Sequence, residues 1–398
     1  MHGSHKHPFL SWMYTLVLVA SSLLAMPALS APSIIPAPPQ LAATSYLLVD
    51  AATGKVLVEH NANEPLPPAS LTKMMTSYIV SNEIHEGHIN GSDMVPISVK
   101  AWRMGGSKMF IREGTQVPVN ELLRGVIIQS GNDASVALAE YVGGSEGAFA
   151  EIMNQQAQVL GMYNSQFKNA TGWPAEGHYT TAFDLSLLAR ALINDFPEHY
   201  SIYAEREFAY GAPGEEVITQ SNRNRLLFRD KSVDGIKTGH TEAAGYCLVA
   251  SAVRDNMRLI SVVMGTRTEA ARADESQKLL AYGFRYFQTT TALDGGTELA
   301  SQRVWGGKAD QISLGVPDDI QLTIPRGSAD KIKIETLLEK DTKAPIEQYQ
   351  PLGRVVLTLE DEVLAEEPLV ALVAVDEAGF FARMWDNVQL FVLDLFSS

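Results

Sequence analysis

Pro67 and Pro68 stand directly before Ala69-Ser70-Leu71-Thr72-Lys73, and an apolar run from Met74 to Ile84 with few breakers follows. Proline fixes φ and removes a backbone donor, so it stops a preceding strand yet suits the mouth of a helix. The stretch therefore predicts a helix with a Ser-x-x-Lys pair at its start. Residues three apart share a helix face, which makes the Ser70 hydroxyl and the Lys73 amine expected neighbours. A serine alone is a weak nucleophile, and an adjacent amine that takes its proton activates it. The free N–H groups and positive dipole end of the helix start favour a developing oxyanion.

Ser-x-x-Lys is short enough to arise by chance. Ser328-Ala329-Asp330-Lys331 repeats it in a charged stretch that alternates like a solvated strand. Corroboration for Ser70 comes from two further clusters in order, Ser130-Gly131-Asn132 and Lys237-Thr238-Gly239-His240. Ser130 is suited to relay a proton to a leaving amine, and Asn132 to hydrogen-bond a substrate amide. Lys237 offers a positive charge for a terminal carboxylate, with Thr238 adding a hydroxyl donor. Lys73 becomes a neutral base if burial and Lys237 lower its pKa. N–H groups of an edge strand just after Gly239 are placed to complete an oxyanion hole with the Ser70 N–H.

The flanking pattern places these clusters in an α/β (α+β) domain. A hairpin is expected from Ser45 to Glu59, turning at Ala52-Thr53-Gly54. Residues 99–112 read as a loop with Trp102 and Gly105-Gly106, suited to rim a cleft, and Trp173-Pro174 reads as a packed loop. Helices are expected from Val119 to Ile128, Asp133 to Tyr141, Glu146 to Leu160, Ala182 to Ile193 and Glu269 to Phe287. Gly245 to Ala252 and Met257 to Met264 read as apolar strands joined at Arg254-Asp255-Asn256. Strands and helices mixed in this way predict an antiparallel sheet flanked by helices. After residue 293 the pattern changes to short alternating strands with Gly or Pro in the turns, a small all-β, sandwich-like domain. Residues 377–398 form an amphipathic helix with Phe380, Phe381, Met384, Trp385, Val388, Phe391, Val392, Leu395 and Phe396 in one stripe.

Export is written at the other end. Lys6 precedes a nearly continuous apolar stretch from Trp12 to Met26, and Ala28-Leu29-Ser30 closes it with small residues. Residues 1–30 are therefore expected to be a signal peptide, the apolar stretch being shorter than the ~20 residues of a membrane span. The domain plan is then a catalytic domain at 31–293, a β-rich domain at 294–376 and the helix at 377–398. The signal holds one lysine and no carboxylate, so its removal takes the formal charge from -15 to -16. That balance argues against nucleic acid as a partner. The single cysteine, Cys247, lies in an apolar strand and reads as a buried hydrophobe. His85-Glu86-Gly87-His88 lacks a third ligand nearby and reads as a polar loop; no metal or cofactor is expected.

Ser-x-x-Lys, Ser-Asp-Asn and Lys-Thr-Gly together are the marks of penicillin-binding proteins and class A β-lactamases, and this chain carries Ser-Gly-Asn at the second. Over essentially its whole length the chain resembles a low-molecular-mass penicillin-binding protein, a serine-type D-alanyl-D-alanine carboxypeptidase. The resemblance rests on Ser70-x-x-Lys73, Ser130-Gly131-Asn132-Asp133, Asn222-Arg223-Asn224, the run Val233 to Thr241, the β-rich domain and the terminal helix. It implies removal of the terminal D-alanine from peptidoglycan stem peptides and covalent inhibition by β-lactams. It implies an oxyanion hole from the N–H groups of Ser70 and His240, with Arg223 near the cleft. It implies the periplasmic face of the inner membrane as the working place, reached through the terminal helix. Here the chain departs from the family, whose helix is typically basic. Glu377, Asp386 and Asp394 against Arg383 make this one about -2, so membrane attachment would rest on apolar burial. Two other readings share the clusters: an endopeptidase on cross-linked peptides, and a non-catalytic peptidoglycan-binding protein. A β-lactamase is disfavoured, because nothing clearly supplies the extra carboxylate that class A enzymes use for deacylation.

Overall fold

The structure, a computed structural model, describes residues 35–212 and 214–397. The expected signal peptide lies outside the described residues, as do the side chains of Val392, Leu395 and Phe396.

β1 (Ser45–Asp50) and β2 (Val56–His60) pair antiparallel through the expected turn. β3 (Met94–Pro96) and β4 (Gln116–Pro118) form a small ribbon, as do β5 (Glu207–Tyr210) and β6 (Ile218–Ser221). β7 (Val233–Thr241), β8 (Gly245–Arg254) and β9 (Met257–Thr266) complete a five-stranded antiparallel sheet in the order β2-β1-β9-β8-β7. Strand alternation splits its apolar side chains between two cores. Leu47, Val49, Val249, Ile260 and Val262 face the helices led by Lys73–His85. Tyr46, Leu48, Ala250, Leu259 and Val263 face Leu279, Leu280 and Phe284 of the helix Glu269–Tyr286. Helices on both faces of one sheet give the expected α+β domain, with β7 at the sheet edge.

β10 (Phe287–Leu293), directly after the Glu269–Tyr286 helix, pairs with β13 (Ile320–Pro325). β11 (Ala300–Arg303), β12 (Gln311–Gly315), β14 (Ile332–Leu338), β15 (Pro351–Leu359) and β16 (Glu362–Ala371) form a sheet in the order β11-β12-β16-β15-β14. Ile312, Leu314, Leu322, Ile324, Val355, Leu357 and Leu369 fill the core of this all-β part. Asp50, at the end of β1 and fully buried, joins it to the first sheet. Its carboxylate accepts from Thr289 Oγ1 at 2.5 Å and Thr323 Oγ1 at 2.8 Å, and from its own Ala52 N–H at 2.9 Å.

The terminal helix spans Phe380–Ser397. Leu390 is buried, whereas Phe380, Phe381, Met384, Trp385, Val388 and Phe391 are exposed. Asp386 accepts the Gly306 N–H at 2.8 Å and lies 3.6 Å from Arg303, while Arg383 pairs with Glu377. Two local expectations are corrected. Residues 99–112 are not all loop: Ser98 caps a short helix, Val99–Arg103, by accepting the Ala101 N–H. The second Ser-x-x-Lys lies in a tight turn, Ala329–Lys331, before β14, with Ser328 buried rather than solvated.

Candidate active site

Ser70 lies in a single turn, Ala69–Thr72, that runs into the helix Lys73–His85. The turn starts under strain, with Ala69 at φ 47°; such backbone persists only where its surroundings impose it. Two neighbours do so. Gly172, at φ +81°, passes so close that a Cβ there would sit 1.7 Å from the Ala69 carbonyl oxygen and 3.0 Å from the Ser70 nitrogen. A Cβ on Gly239 of β7 would come 3.1 Å from the Pro68 carbonyl oxygen and 3.3 Å from Ala69 Cβ. Glycine is needed at both positions so that two backbones can close on the serine.

The helical spacing brings Lys73 Nζ to 3.1 Å from Ser70 Oγ. The same amine donates to Asn132 Oδ1 at 2.7 Å and to the Thr171 carbonyl at 2.6 Å. Lys73 is almost wholly buried, and desolvation brings its pKa down to about 7, with Arg223 pushing the same way and Asp133 opposing. The like-charge repulsion between Lys73 and Lys237 that the sequence predicts is present, and Arg223 adds to it. Lys237 is also buried and lies well below the usual lysine range, first through desolvation and then through Lys73, Arg223 and Arg272. Its amine makes one hydrogen bond among the described residues, 3.3 Å to the Thr238 carbonyl. Two buried amines and few anions leave the site short of negative charge, as a binding site for a carboxylate requires.

Ser130 is held at φ 60°, just before the helix Asn132–Gly143. Its Oγ is buried and has no hydrogen-bond partner among the described residues. Asn132 bridges the base to the cleft wall: its Nδ2 donates to the Gly105 carbonyl at 2.7 Å. The wall is tied down by Asp133, whose carboxylate accepts the N–H groups of Met109, Phe110 and Ile111 at 2.8, 2.8 and 3.2 Å.

A cleft of about 650 Å³ opens over Ser70, lined also by Gly106, Ser107, Asn132, Thr171, Gly172, Trp173, Pro174 and His240 to Ala243. Lys73, Ser130, Lys237, Thr238 and Gly239 are buried, and His240 is exposed, stacked on Tyr246 at 3.9 Å between centroids. Arg223 is exposed on a turn that Asn224 pins to β7 through Nδ2 to the Gly235 carbonyl at 2.8 Å. Trp173-Pro174 is not the packed loop expected; Trp173 is half-exposed and forms a cleft wall.

Sequence reasoning missed Thr171, Gly172 and Arg272. Asn169 Oδ1 accepts the N–H groups of Thr171, Gly172 and Trp173 at 3.1, 2.8 and 3.1 Å, which aims the Thr171 carbonyl at Lys73. The signal was the Asn-x-x-Gly turn itself. Arg272 reaches from the Glu269–Tyr286 helix to the Gly239 carbonyl at 3.2 Å and lies 5.6 Å from the Tyr246 ring centroid. Nothing in its local sequence marks it.

Comparison with known proteins agrees with this arrangement. A family model described as D-alanyl-D-alanine carboxypeptidase matches residues 33–268, and one described as penicillin-binding protein 5, C-terminal domain, matches residues 287–377. D-alanyl-D-alanine carboxypeptidase DacA of Escherichia coli K12 is 45% identical over 366 residues, covering 90% of each chain. DacC of the same strain is 44% identical over 360 residues, 88% of this chain and 89% of that one. A crystal structure of penicillin binding protein 5 from Haemophilus influenzae superposes with a TM-score of 0.81 at 42% identity, covering 86% of this chain and all (100%) of that one. With both family models in sequence on a helix-flanked sheet and an all-β part, the chain belongs to the D-alanyl-D-alanine carboxypeptidases of the penicillin-binding protein 5 type.

Proposed function

We propose that the chain hydrolyses the terminal D-Ala-D-Ala bond of peptidoglycan stem peptides through an acyl-enzyme on Ser70. The observation that carries this reading is the 3.1 Å contact between Ser70 Oγ and a buried Lys73 amine whose pKa is about 7. Half-neutral near pH 7, that amine takes the Ser70 proton as Oγ attacks the carbonyl carbon. The N–H groups of Ser70 and His240 stabilise the oxyanion, and Gly239 lets β7 close on the serine turn. Ser130 relays the proton taken up by Lys73 to the departing D-alanine amine as the C–N bond breaks, which gives its buried hydroxyl the partner it lacks. Asn132 fixes the peptide amide. Lys237 and Thr238 hold the free carboxylate, whose negative charge favours the charged form of Lys237 that burial disfavours, and Arg223 adds positive charge at the mouth. Lys73, neutral again, takes a proton from the water that attacks the acyl carbon and delivers it to Ser70 Oγ as the ester bond breaks.

A fluorescent penicillin tests the nucleophile: wild type gives a covalent band that Ser70→Ala loses, and a band surviving in Ser70→Ala overturns the assignment. Release of D-alanine from a diacyl-D-Ala-D-Ala peptide, with slow turnover of penicillin, separates this reading from a β-lactamase. An endopeptidase acting on cross-linked peptides would instead release disaccharide-peptide monomers from dimers.

The domain plan completes the proposal. Residues 31–293 carry the chemistry, 294–376 hold it away from a surface, and 377–398 lie on the periplasmic face of the inner membrane after export. No described helix is long and apolar enough to cross a membrane; the attachment proposed is peripheral, through the terminal helix. Support comes from six exposed apolar side chains on the terminal helix, while Asp386 and Arg383 are engaged by Gly306, Arg303 and Glu377. Burying that stripe in the interface offsets the missing basic charge. The full chain is expected in the membrane fraction and a chain ended at Asp376 in the soluble one; equal distribution defeats the anchor.

A further inference from the structure

Beyond Trp173 the cleft over Ser70 adjoins a second pocket of about 350 Å³. The two share Gly172, Trp173, Pro174, Thr241 and Ala243. Pro67, Pro68, Ala69 and Ala175 add apolar wall, and Glu176 and His178 are the ionisable residues that line it. The chemistry at Ser70 uses neither of them.

His178 is 6% exposed, and burial, with Lys168 pushing the same way, brings its pKa down to about 4, so the ring is neutral at pH 7. Its Nε2 lies 3.0 Å from Thr72 Oγ1, and its buried Nδ1 has no hydrogen-bond partner among the described residues. The buried Thr72 hydroxyl bonds no other group there, so it donates to Nε2 and leaves the ring proton on Nδ1. A buried N–H of this kind is costly unless a ligand brings it an acceptor.

Charge is sorted along the cleft. Lys73 and Lys237 are buried at one end, with Arg223 exposed beside them. Glu176 and Glu242 are exposed at the other end, and neither has an ion-pair partner within 4.0 Å among the described residues. β7 decides which part of a substrate reaches that end. Extended residues advance about 3.3 Å each. A peptide laid along the strand, with its carboxylate at Lys237 and Thr238 and its scissile carbonyl between Ser70 and His240, has its preceding residue beside Thr241.

We propose, resting on the carboxypeptidase reading above, that the pocket beyond Trp173 receives the side chain of the residue before D-Ala-D-Ala, a short aliphatic chain ending in a free ammonium that Glu176 pairs. The prolines, Ala69 and Trp173 cover its methylenes. The neutral His178 ring adds no like charge, and its Nδ1–H is free for a carbonyl of the same ligand. Glu242 adds negative field from the shared wall. An acylated amine carries no charge and loses the ion pair, so the site selects peptides whose side-chain amine is free over those already cross-linked through it.

D-alanine release by the full chain from Nα-acetyl-Lys-D-Ala-D-Ala and from Nα,Nε-diacetyl-Lys-D-Ala-D-Ala tests the subsite. The ratio of the two kcat/KM values should favour the free amine about three- to tenfold at low salt and shrink at high salt. Glu176→Gln should bring the ratio toward one, and Glu176→Lys should reverse it in favour of an Nε-succinyl peptide. Each enzyme's rate on the diacetyl peptide is its own reference, so a general loss of activity leaves the ratio unmoved. A wild-type ratio near one, a ratio unchanged in Glu176→Gln, or no reversal in Glu176→Lys would overturn the subsite and leave the carboxypeptidase reading standing. Release from neither peptide would overturn both.

Discussion

Asn132 Oδ1 accepts a 2.7 Å hydrogen bond from Lys73 Nζ, and the other end of that amide holds the Gly105 carbonyl at 2.7 Å. One side chain thereby fixes both the base and the cleft wall. Asn132→Asp would set an anion against the amine and favour its charged form. The rising limb of the kcat/KM profile for D-alanine release should move up by about 1–3 pH units. An unmoved limb would mean that Lys73 is not the titrating base.

In the wild type that limb should lie near pH 7, where burial and Arg223 bring Lys73. Arg223→Ala removes one of the depressing charges and should shift the limb upward. The same group shapes stability. The unfolded chain holds this proton up to about pH 10.5 and the folded chain only to about 7. Between those values the unfolded state binds more protons, so this group's contribution to stability rises with pH and its full penalty is felt below 7. Lys73→Met should flatten part of that rise in urea midpoints measured from pH 6 to pH 10, while abolishing penicillin labelling.

Ser130 separates stability from activity. Its buried Oγ has no partner among the described residues, so Ser130→Ala removes an unsatisfied polar group and should leave the urea midpoint level or higher. Loss of a positioned proton relay should slow D-alanine release about 10²–10⁴-fold. A variant that is both unstable and active would reverse the assignment.

Gly172→Ala places a Cβ 1.7 Å from the Ala69 carbonyl oxygen in left-handed backbone. The serine turn must shift, and a displacement of about 1 Å is expected to cost about 10²-fold in the acylation rate by penicillin. Far-ultraviolet circular dichroism should stay near wild type, which marks the loss as local geometry.

Asp50→Ala tests the junction between the two sheets. Thr289 and Thr323 would lose their buried acceptor, at a cost of about 2–3 kcal/mol. The urea transition should move down and split into two, while labelling of Ser70 by penicillin persists at low denaturant. A single unchanged transition would place the coupling elsewhere.

Much of the site was legible because its parts are local. The spacing of Ser70 and Lys73, the strand that carries Lys237-Thr238-Gly239 and the turns around Ser130 follow from periodicity and breakers within a few residues. Trp173 was misread because a loop tryptophan packs or lines a cleft according to what faces it, and that is not a local property. The Val99–Arg103 helix was missed because one turn carries too little periodic signal to stand out from a loop.

By itself the sequence determined the kinds of groups and their order: a hydroxyl beside an amine at a helix start, a second serine, a second lysine on an edge strand, and an apolar stripe at the end. Only the tertiary structure decided what those groups can do. The Lys73 pKa depends on how completely water is excluded and on Arg223, contributed from 150 residues further along the chain. The serine turn depends on Gly172 and Gly239 arriving from two other segments. Desolvation and backbone approach are set by distances in space, and residue order carries no direct record of them.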